Sequence, residues 1–228
     1  MLPIMNEKLI EYLKDFISDS RWDRINEVLD QRTQHLTVVL EDIYQPHNAS
    51  AVLRSCDGFG IQDVHVIENN NQFDASSQVT IGADQWVTVN RYKKPDFDNV
   101  SDCFAELKKR GYQIVATTPH ENDSNLNDLD IAQPTALVFG TELEGVTEQV
   151  LEQADGFVKI PMAGFSESFN ISVSAAICLY DTSIRLRQSN IEWNLTNEKR
   201  EELLLEWVKK SIKAGDQLAK KWLAENDF

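Results

Sequence analysis

The sequence predicts an α/β fold with a mainly parallel sheet that is covered by helices on both faces. Short β-branched segments alternate along the chain with segments in which apolar residues recur at three- and four-residue steps. Parallel strands need such helical crossovers between them. Strands buried on both faces also read as continuous apolar runs, as Leu137-Val138-Phe139 does.

The predicted core has six strands and four helices. Strands are expected at residues 36–40, 64–67, 86–89, 113–116, 136–139 and 157–160, and helices at residues 50–59, 99–109, 147–154 and 171–187. The alternation along the chain favours a single sheet built from repeated strand-helix units. At 228 residues the chain is long enough to bury such a core in one domain.

Helical segments are predicted on both sides of this core. Two helices are expected at residues 6–17 and 21–31, and one long C-terminal helix is expected to begin near Thr196 or Asn197. That helix has an apolar stripe, which should pack on its own domain, formed by Leu204, Val208, Ile212, Gly215, Leu218 and Trp222. The predicted organisation is an N-terminal helical extension (1–35), a core (36–190) and a C-terminal helical extension (191–228).

Composition limits the classes of function. The net charge of −15 argues against a simple nucleic-acid binder, although 15 of the 22 basic residues lie outside residues 36–149. The basic residues of the terminal helices could bind a phosphate backbone, or they could form a solvated face with glutamate partners at four-residue spacing. No apolar run is long enough for a membrane span and no signal-peptide core is visible, so we expect a soluble, cytoplasmic protein. The three cysteines are expected to be reduced and buried, because they form no CxxC pair.

Three segments that follow predicted strands could carry chemistry. In the first, Pro46 to Arg54, Asn48 is well placed to cap a helix and Arg54 lies inside a helix that is otherwise mostly apolar. Such an arginine is expected to need an anionic partner, unless it is simply a surface residue. The second is Phe139-Gly140-Thr141-Glu142-Leu143-Glu144-Gly145, a glycine-punctuated loop after a buried strand, which is either a ligand-binding loop or a solvated one.

The third segment runs from Ile160 through Met162, Ser168 and Phe169 to Asn170. It is dense in hydrogen-bonding side chains and precedes a helix that Ser168 or Asn170 could cap. The alternative is the polar floor of a pocket for a nucleoside-like ligand. No dinucleotide fingerprint, phosphate-binding loop, HExxH or GxSxG motif is present, which leaves those familiar enzyme classes without support.

Taken together and in this order, the three segments resemble the conserved motifs of the SPOUT class of methyltransferases, specifically the TrmH type. The stretch from Glu41 to Ile67 is especially similar to the tRNA guanosine-18 2'-O-methyltransferases, and the resemblance covers about residues 20 to 210. It implies a homodimer with a C-terminal trefoil knot, a topology that general folding rules would exclude. It also implies S-adenosylmethionine as cofactor, no metal, and tRNA as substrate.

The resemblance also implies the site residues. Its catalytic side maps onto Arg54, Asn48, Glu142, Ser168 and Asn170. The cofactor site maps, largely through backbone contacts, onto Phe139, Gly140, Glu142, Gly145, Ile160, Met162, Ser168, Phe169 and Asn170. Guanidinium groups stay protonated, so Arg54 is expected to hold a phosphate and stabilise a developing alkoxide rather than act alone as a base.

Two alternatives stay open. One is methylation of ribosomal RNA or of the tRNA wobble nucleotide. The other is a catalytically silent RNA-binding or nucleotide-binding homologue that keeps the fold but not the activity.

Overall fold

The computed structural model describes residues 2–73, 82–119, 124–141 and 144–226, which form two compact units. The first unit, Thr33–Trp193, contains a seven-stranded sheet. Every strand pair in it is parallel. The predicted α/β class with a mainly parallel sheet is therefore confirmed.

The strands match the predicted runs closely. Their bounds are β1 Leu36–Glu41, β2 Asp63–Ile67, β3 Thr88–Tyr92, β4 Gln113–Thr117, β5 Ser124–Asn125, β6 Thr135–Phe139 and β7 Gly156–Lys159. Across the sheet the strands lie in the order β3-β2-β1-β6-β4-β7-β5. The prediction for β3 began too early, because Trp86 ends a short 3-10 turn that starts at Ala83. The two-residue strand β5 was not predicted, since so short a segment has no periodicity.

Helices cover both faces of this sheet, as predicted. Helices α3 (Pro46–Phe59) and α6 (Ile171–Gln188) pack on the face that includes Val38 and Leu40. Helices α4 (Asn99–Lys109) and α5 (Glu148–Gln153) supply core residues on the face that includes Val39. Alternate residues of β1 thus face opposite helical layers, as the two-residue period of a strand requires. Cys56, Cys103 and Cys178 are free and buried in these layers, which confirms that expectation.

The second unit consists of residues 1–32 and 194–228 and is helical in its described part. It contains α1 (Leu2–Lys14), α2 (Asp19–Leu29), α7 (Asn197–Ser211) and α8 (Gly215–Glu225). The prediction of one long C-terminal helix was wrong, because the helix is interrupted between α7 and α8. At the break Gly215 lies against the turn before it, and a Cβ on Gly215 would come within 2.1 Å of the Lys209 carbonyl oxygen.

Six basic side chains in the described part of this helical unit lie in ion pairs, and two of the six have the glutamate partner at four-residue spacing that the solvated-face interpretation expected. The pairs are Arg24–Glu27, Lys199–Glu202, Arg200–Asp30, Lys209–Asp216, Lys210–Glu206 and Lys221–Glu225. Arg32 is instead buried, with its guanidinium over the Trp207 ring. A phosphate-binding role for this unit stays a prediction.

Candidate active site

The three segments singled out from the sequence leave the carboxyl ends of β1, β6 and β7. Strands β1 and β6 are neighbours, and the strand order changes direction beside them, since β2 and β3 lie on one side and β4, β7 and β5 on the other. In open parallel sheets this is the place where ligands bind. The fold therefore puts the predicted segments at one edge of the sheet.

Asn48 and Asn170 join the first segment to the third. The Asn170 side-chain amide donates a hydrogen bond to Asn48 Oδ1 at 3.2 Å. Asn170 Oδ1 in turn accepts from the Ser172 backbone N–H at 2.9 Å, so Asn170 caps α6 as one interpretation of the sequence expected. Each asparagine uses both ends of its amide group, which fixes its orientation between α3 and α6.

The prediction that Asn48 caps α3 was wrong. The helix begins earlier, with Gln45 at the capping position and Pro46 as its first residue. Proline suits that position because its ring presets the helical φ and its missing N–H has no partner to lose. Asn48 consequently lies in the first turn, where it is 93% buried and its amide donates to Gln45 Oε1 at 3.4 Å.

Arg54 lies on the exposed side of α3, six residues after Asn48. Water can solvate an exposed guanidinium, so the surface-residue alternative fits this position, and an external phosphate as the anionic partner of Arg54 stays a prediction. No ion pair of Arg54 occurs with the side chains of the described ranges. Within these ranges no carboxylate pairs with Arg54 in competition with an external anion.

The loop after β6 folds back on itself. Gly140 is buried, and Thr141 and Gly145 exchange backbone hydrogen bonds of 2.9 and 3.1 Å. Gly145 has a φ of 71°, a conformation that favours glycine. A Cβ on Gly140 would lie 2.0 Å from the Gly145 carbonyl oxygen, so this approach is open only to glycine. Glu142, a predicted catalytic and cofactor residue, lies outside the described residues.

Two buried carboxylates that the sequence reasoning missed organise this edge. Glu41, at the end of β1, accepts hydrogen bonds from the Thr147 backbone N–H at 2.9 Å and from its hydroxyl at 2.6 Å. Burial raises the pKa of Glu41, while the bonds from Thr147 act in the opposite direction. Asp42, with a φ of 50°, accepts from three consecutive backbone N–H groups at positions 69–71. Residues of the loops after β1, β2 and β6 line a pocket of about 500 Å³ that is open to solvent.

The segment after β7 is open to solvent. Ser168 and Phe169 are exposed, whereas Ile160 and Met162 are half-buried. Phe139, at the end of β6, is different, because its side chain is packed in the core. Only the Phe139 backbone can reach a ligand, which agrees with a site dominated by backbone contacts.

Two features are absent from the described ranges. These ranges contain no group of three or more His, Cys, Asp or Glu side chains arranged to hold a metal ion. None of their helices is both long and apolar enough to cross a membrane.

Comparison with known proteins identifies the family. Residues 35–180 match the SpoU rRNA Methylase family. A tRNA (guanosine(18)-2'-O)-methyltransferase from Borreliella burgdorferi is 43% identical over 206 residues, which are 90% of this chain and 92% of that protein. The chain belongs to the SpoU rRNA Methylase family.

Two solved structures resemble the fold. The TrmH/SpoU tRNA modifying enzyme of A. aeolicus has a TM-score of 0.74 at 31% identity, with 84% of this chain and 96% of that chain covered. The SpoU methyltransferase AviRb from Streptomyces viridochromogenes was solved in complex with the cofactor AdoMet. It has a TM-score of 0.58 at 26% identity, with 72% of this chain and 62% of that chain covered.

Proposed function

We propose that this protein transfers a methyl group from S-adenosylmethionine to the ribose 2'-hydroxyl of guanosine 18 in tRNA. The observation that carries the proposal is the hydrogen bond between Asn48 and Asn170, on the same helical layer that exposes Arg54. It joins two of the three motif segments at the ligand-binding edge of the sheet. The B. burgdorferi relative, named for this activity, supports the choice of nucleotide.

S-adenosylmethionine fits the residues at this edge. The loop from Gly140 to Thr147 brings backbone polar groups close together, and Ser168 adds an exposed hydroxyl. We assign the cofactor to these two loops, with Phe139 and Ile160 contributing backbone groups. When bound, the cofactor supplies an electrophilic methyl group, and no metal is needed for its transfer.

Arg54 and Asn48 have different roles in the proposed mechanism. The Arg54 guanidinium stays protonated at neutral pH, so it binds the phosphate next to the target ribose and stabilises negative charge that develops on the 2'-oxygen. Asn48, held by Asn170, lines the approach of the ribose. Alignment of the hydroxyl with the methyl group supplies most of the rate enhancement.

A homodimer is part of the proposal, and an exposed apolar stripe on α6 supports it. Val173, Tyr180 and Ile184 are 44%, 60% and 38% exposed, and half-buried Ile177 completes their three- and four-residue spacing. Such a stripe is costly to leave in water and suits the same helix of a second copy. Ile184→Glu should therefore give a monomer in analytical ultracentrifugation, whereas a dimeric variant would contradict this assignment.

Three further features belong to the proposal. They are a trefoil knot in the C-terminal part of the sheet, helical extensions at 1–35 and 191–228 around the 36–190 core, and a cytoplasmic location, where tRNA substrates occur. The loops after β6 and β7 are where the family resemblance puts the knot.

The test is methyl transfer from labelled S-adenosylmethionine to unmodified tRNA transcripts, followed by mapping of the labelled nucleotide. Arg54→Ala should lower the rate roughly 100-fold or more, the usual loss when a group that stabilises transition-state charge is removed. Lys109→Ala is the matched control, since it removes an exposed cation from α4 on the other face of the sheet. Arg54→Lys tests whether charge alone suffices.

Each outcome decides between the candidate functions. Label at guanosine 18 that Arg54→Ala abolishes supports both the function and the site, whereas a folded Arg54→Ala protein with the parental rate removes the catalytic role. Label on ribosomal RNA or on the wobble nucleotide replaces the substrate. Cofactor binding without transfer to any RNA indicates a silent homologue.

A further inference from the structure

Glu41 is a buried carboxylate that the proposed mechanism does not use. Its side chain is 99% buried, and it lies two residues after Val39, on the face of the sheet that α4 and α5 cover. Burial of an ionised carboxylate is unfavourable unless hydrogen bonds compensate for the lost water. One residue, Thr147, donates a hydrogen bond to each of the two Glu41 carboxylate oxygens, one from its backbone N–H and one from its hydroxyl.

Thr147 is also the residue that ends the loop after β6. Its hydroxyl oxygen accepts from the Val150 backbone N–H at 3.4 Å, so the same group caps α5 and donates to Glu41. The other end of the loop is fixed at Gly140, where the backbone packs against Gly145. The loop is therefore held at both ends, by a close glycine contact on β6 and by a buried carboxylate on β1.

We infer that Glu41 is a positioning residue for cofactor binding: through Thr147 it fixes residues 144–147, the described C-terminal part of the loop that receives S-adenosylmethionine. The inference rests on the proposed function, which assigns the cofactor to this loop. Glu41 itself touches neither the cofactor nor the ribose. Its contribution is to reduce the number of conformations that the loop samples before the ligand arrives.

The test compares variants that remove or keep the hydrogen bonds between Thr147 and Glu41. Thr147→Val deletes the hydroxyl donor with little change in shape, Thr147→Ser keeps it, and Glu41→Gln neutralises the acceptor. Thr37→Val is the matched control, because it removes another hydroxyl bond of similar length, 2.7 Å to the Asp63 carbonyl oxygen. The readouts are the Kd for S-adenosylmethionine by calorimetry, the KM for tRNA, and the melting temperature.

Thr147→Val and Glu41→Gln should each raise the Kd for S-adenosylmethionine roughly tenfold, the fold-change expected from one lost hydrogen bond to a charged group. Thr147→Ser should stay within about twofold of wild type, and the KM for tRNA should not change in any variant. The double variant should bind S-adenosylmethionine no more weakly than the single variant with the higher Kd, because both changes break the same contact between Glu41 and Thr147.

Two results would overturn the inference. One is an unchanged Kd in Thr147→Val. The other is an equal rise in Thr37→Val, which would indicate general destabilisation. A wild-type protein that binds no S-adenosylmethionine would overturn both this inference and the proposed function. A wild-type protein that binds it but methylates no tRNA would overturn the proposed function alone.

Discussion

Gly140→Ala should damage the loop after β6 out of proportion to the single methyl group that it adds. The new Cβ would lie 2.0 and 2.2 Å from the carbonyl oxygen and carbon of Gly145, and 2.3 Å from the Val146 nitrogen. All three contacts are with backbone atoms, which cannot move aside as a flexible side chain would. The backbone at Gly140 and the backbone at Gly145 and Val146 must move apart to accommodate the new methyl group.

The cost can be worked out from the bonds that this separation breaks. Thr141 and Gly145 exchange two backbone hydrogen bonds, and each contributes about 1 kcal/mol to stability. Residual crowding adds about 1 kcal/mol, at the lower end for an overpacked site. A total of about 3 kcal/mol corresponds to a fall in the melting temperature of roughly 6–12 °C for a protein of this size.

Thermal unfolding followed by circular dichroism measures this loss, and calorimetry with S-adenosylmethionine measures the effect on binding. Gly156→Ala is the control, since a Cβ at Gly156, at the start of β7, meets no atom within 4 Å and its φ is not positive. We expect the control to match wild type in both assays. A Gly140→Ala protein that melts within about 2 °C of wild type and binds the cofactor equally well would refute the reasoning.

Three other predictions concern His65, Gly215 and Asn170. Burial lowers the pKa of His65 from 6.5 to about 4. As the pH falls, the unfolded chain therefore takes up a proton on this residue before the folded protein does. The free energy of unfolding should fall by up to about 3 kcal/mol between pH 6.5 and 4, and urea titrations of His65→Phe should lack this component. Gly215→Ala, which would put a Cβ 2.1 Å from the Lys209 carbonyl oxygen, should lower the melting temperature by several degrees. Asn170→Asp should keep the helix cap but lose the amide donor to Asn48, so kcat should fall while the melting temperature stays near wild type.

Local patterns predicted much of the fold. Five of the six predicted strands, all except the one at residues 86–89, begin and end within one residue of an observed strand, and the helix at Asn99–Lys109 begins and ends where the sequence indicated. These elements are determined by periodicity and by nearby capping residues such as Asp98, whose side chain accepts from the Ser101 N–H. Asn170 was predicted as a cap for the same local reason.

Features that depend on distant contacts could not be predicted. Glu41 and Thr147 are 106 residues apart, and nothing in either neighbourhood indicates the other. The break before Gly215 interrupts an apolar stripe that is otherwise continuous, because a close backbone approach outweighs the periodicity. The cap position was missed for a local reason instead, since Pro46 is a helix-start signal that lies two residues before Asn48.

The central claim is that one ribose hydroxyl of tRNA accepts the methyl group. Two transcripts that differ by a single atom test it most directly, one with guanosine and one with 2'-deoxyguanosine at position 18. With wild-type protein and labelled S-adenosylmethionine, we predict label in the first transcript and none in the second. Equal labelling of both transcripts, or no label in either, would contradict the claim.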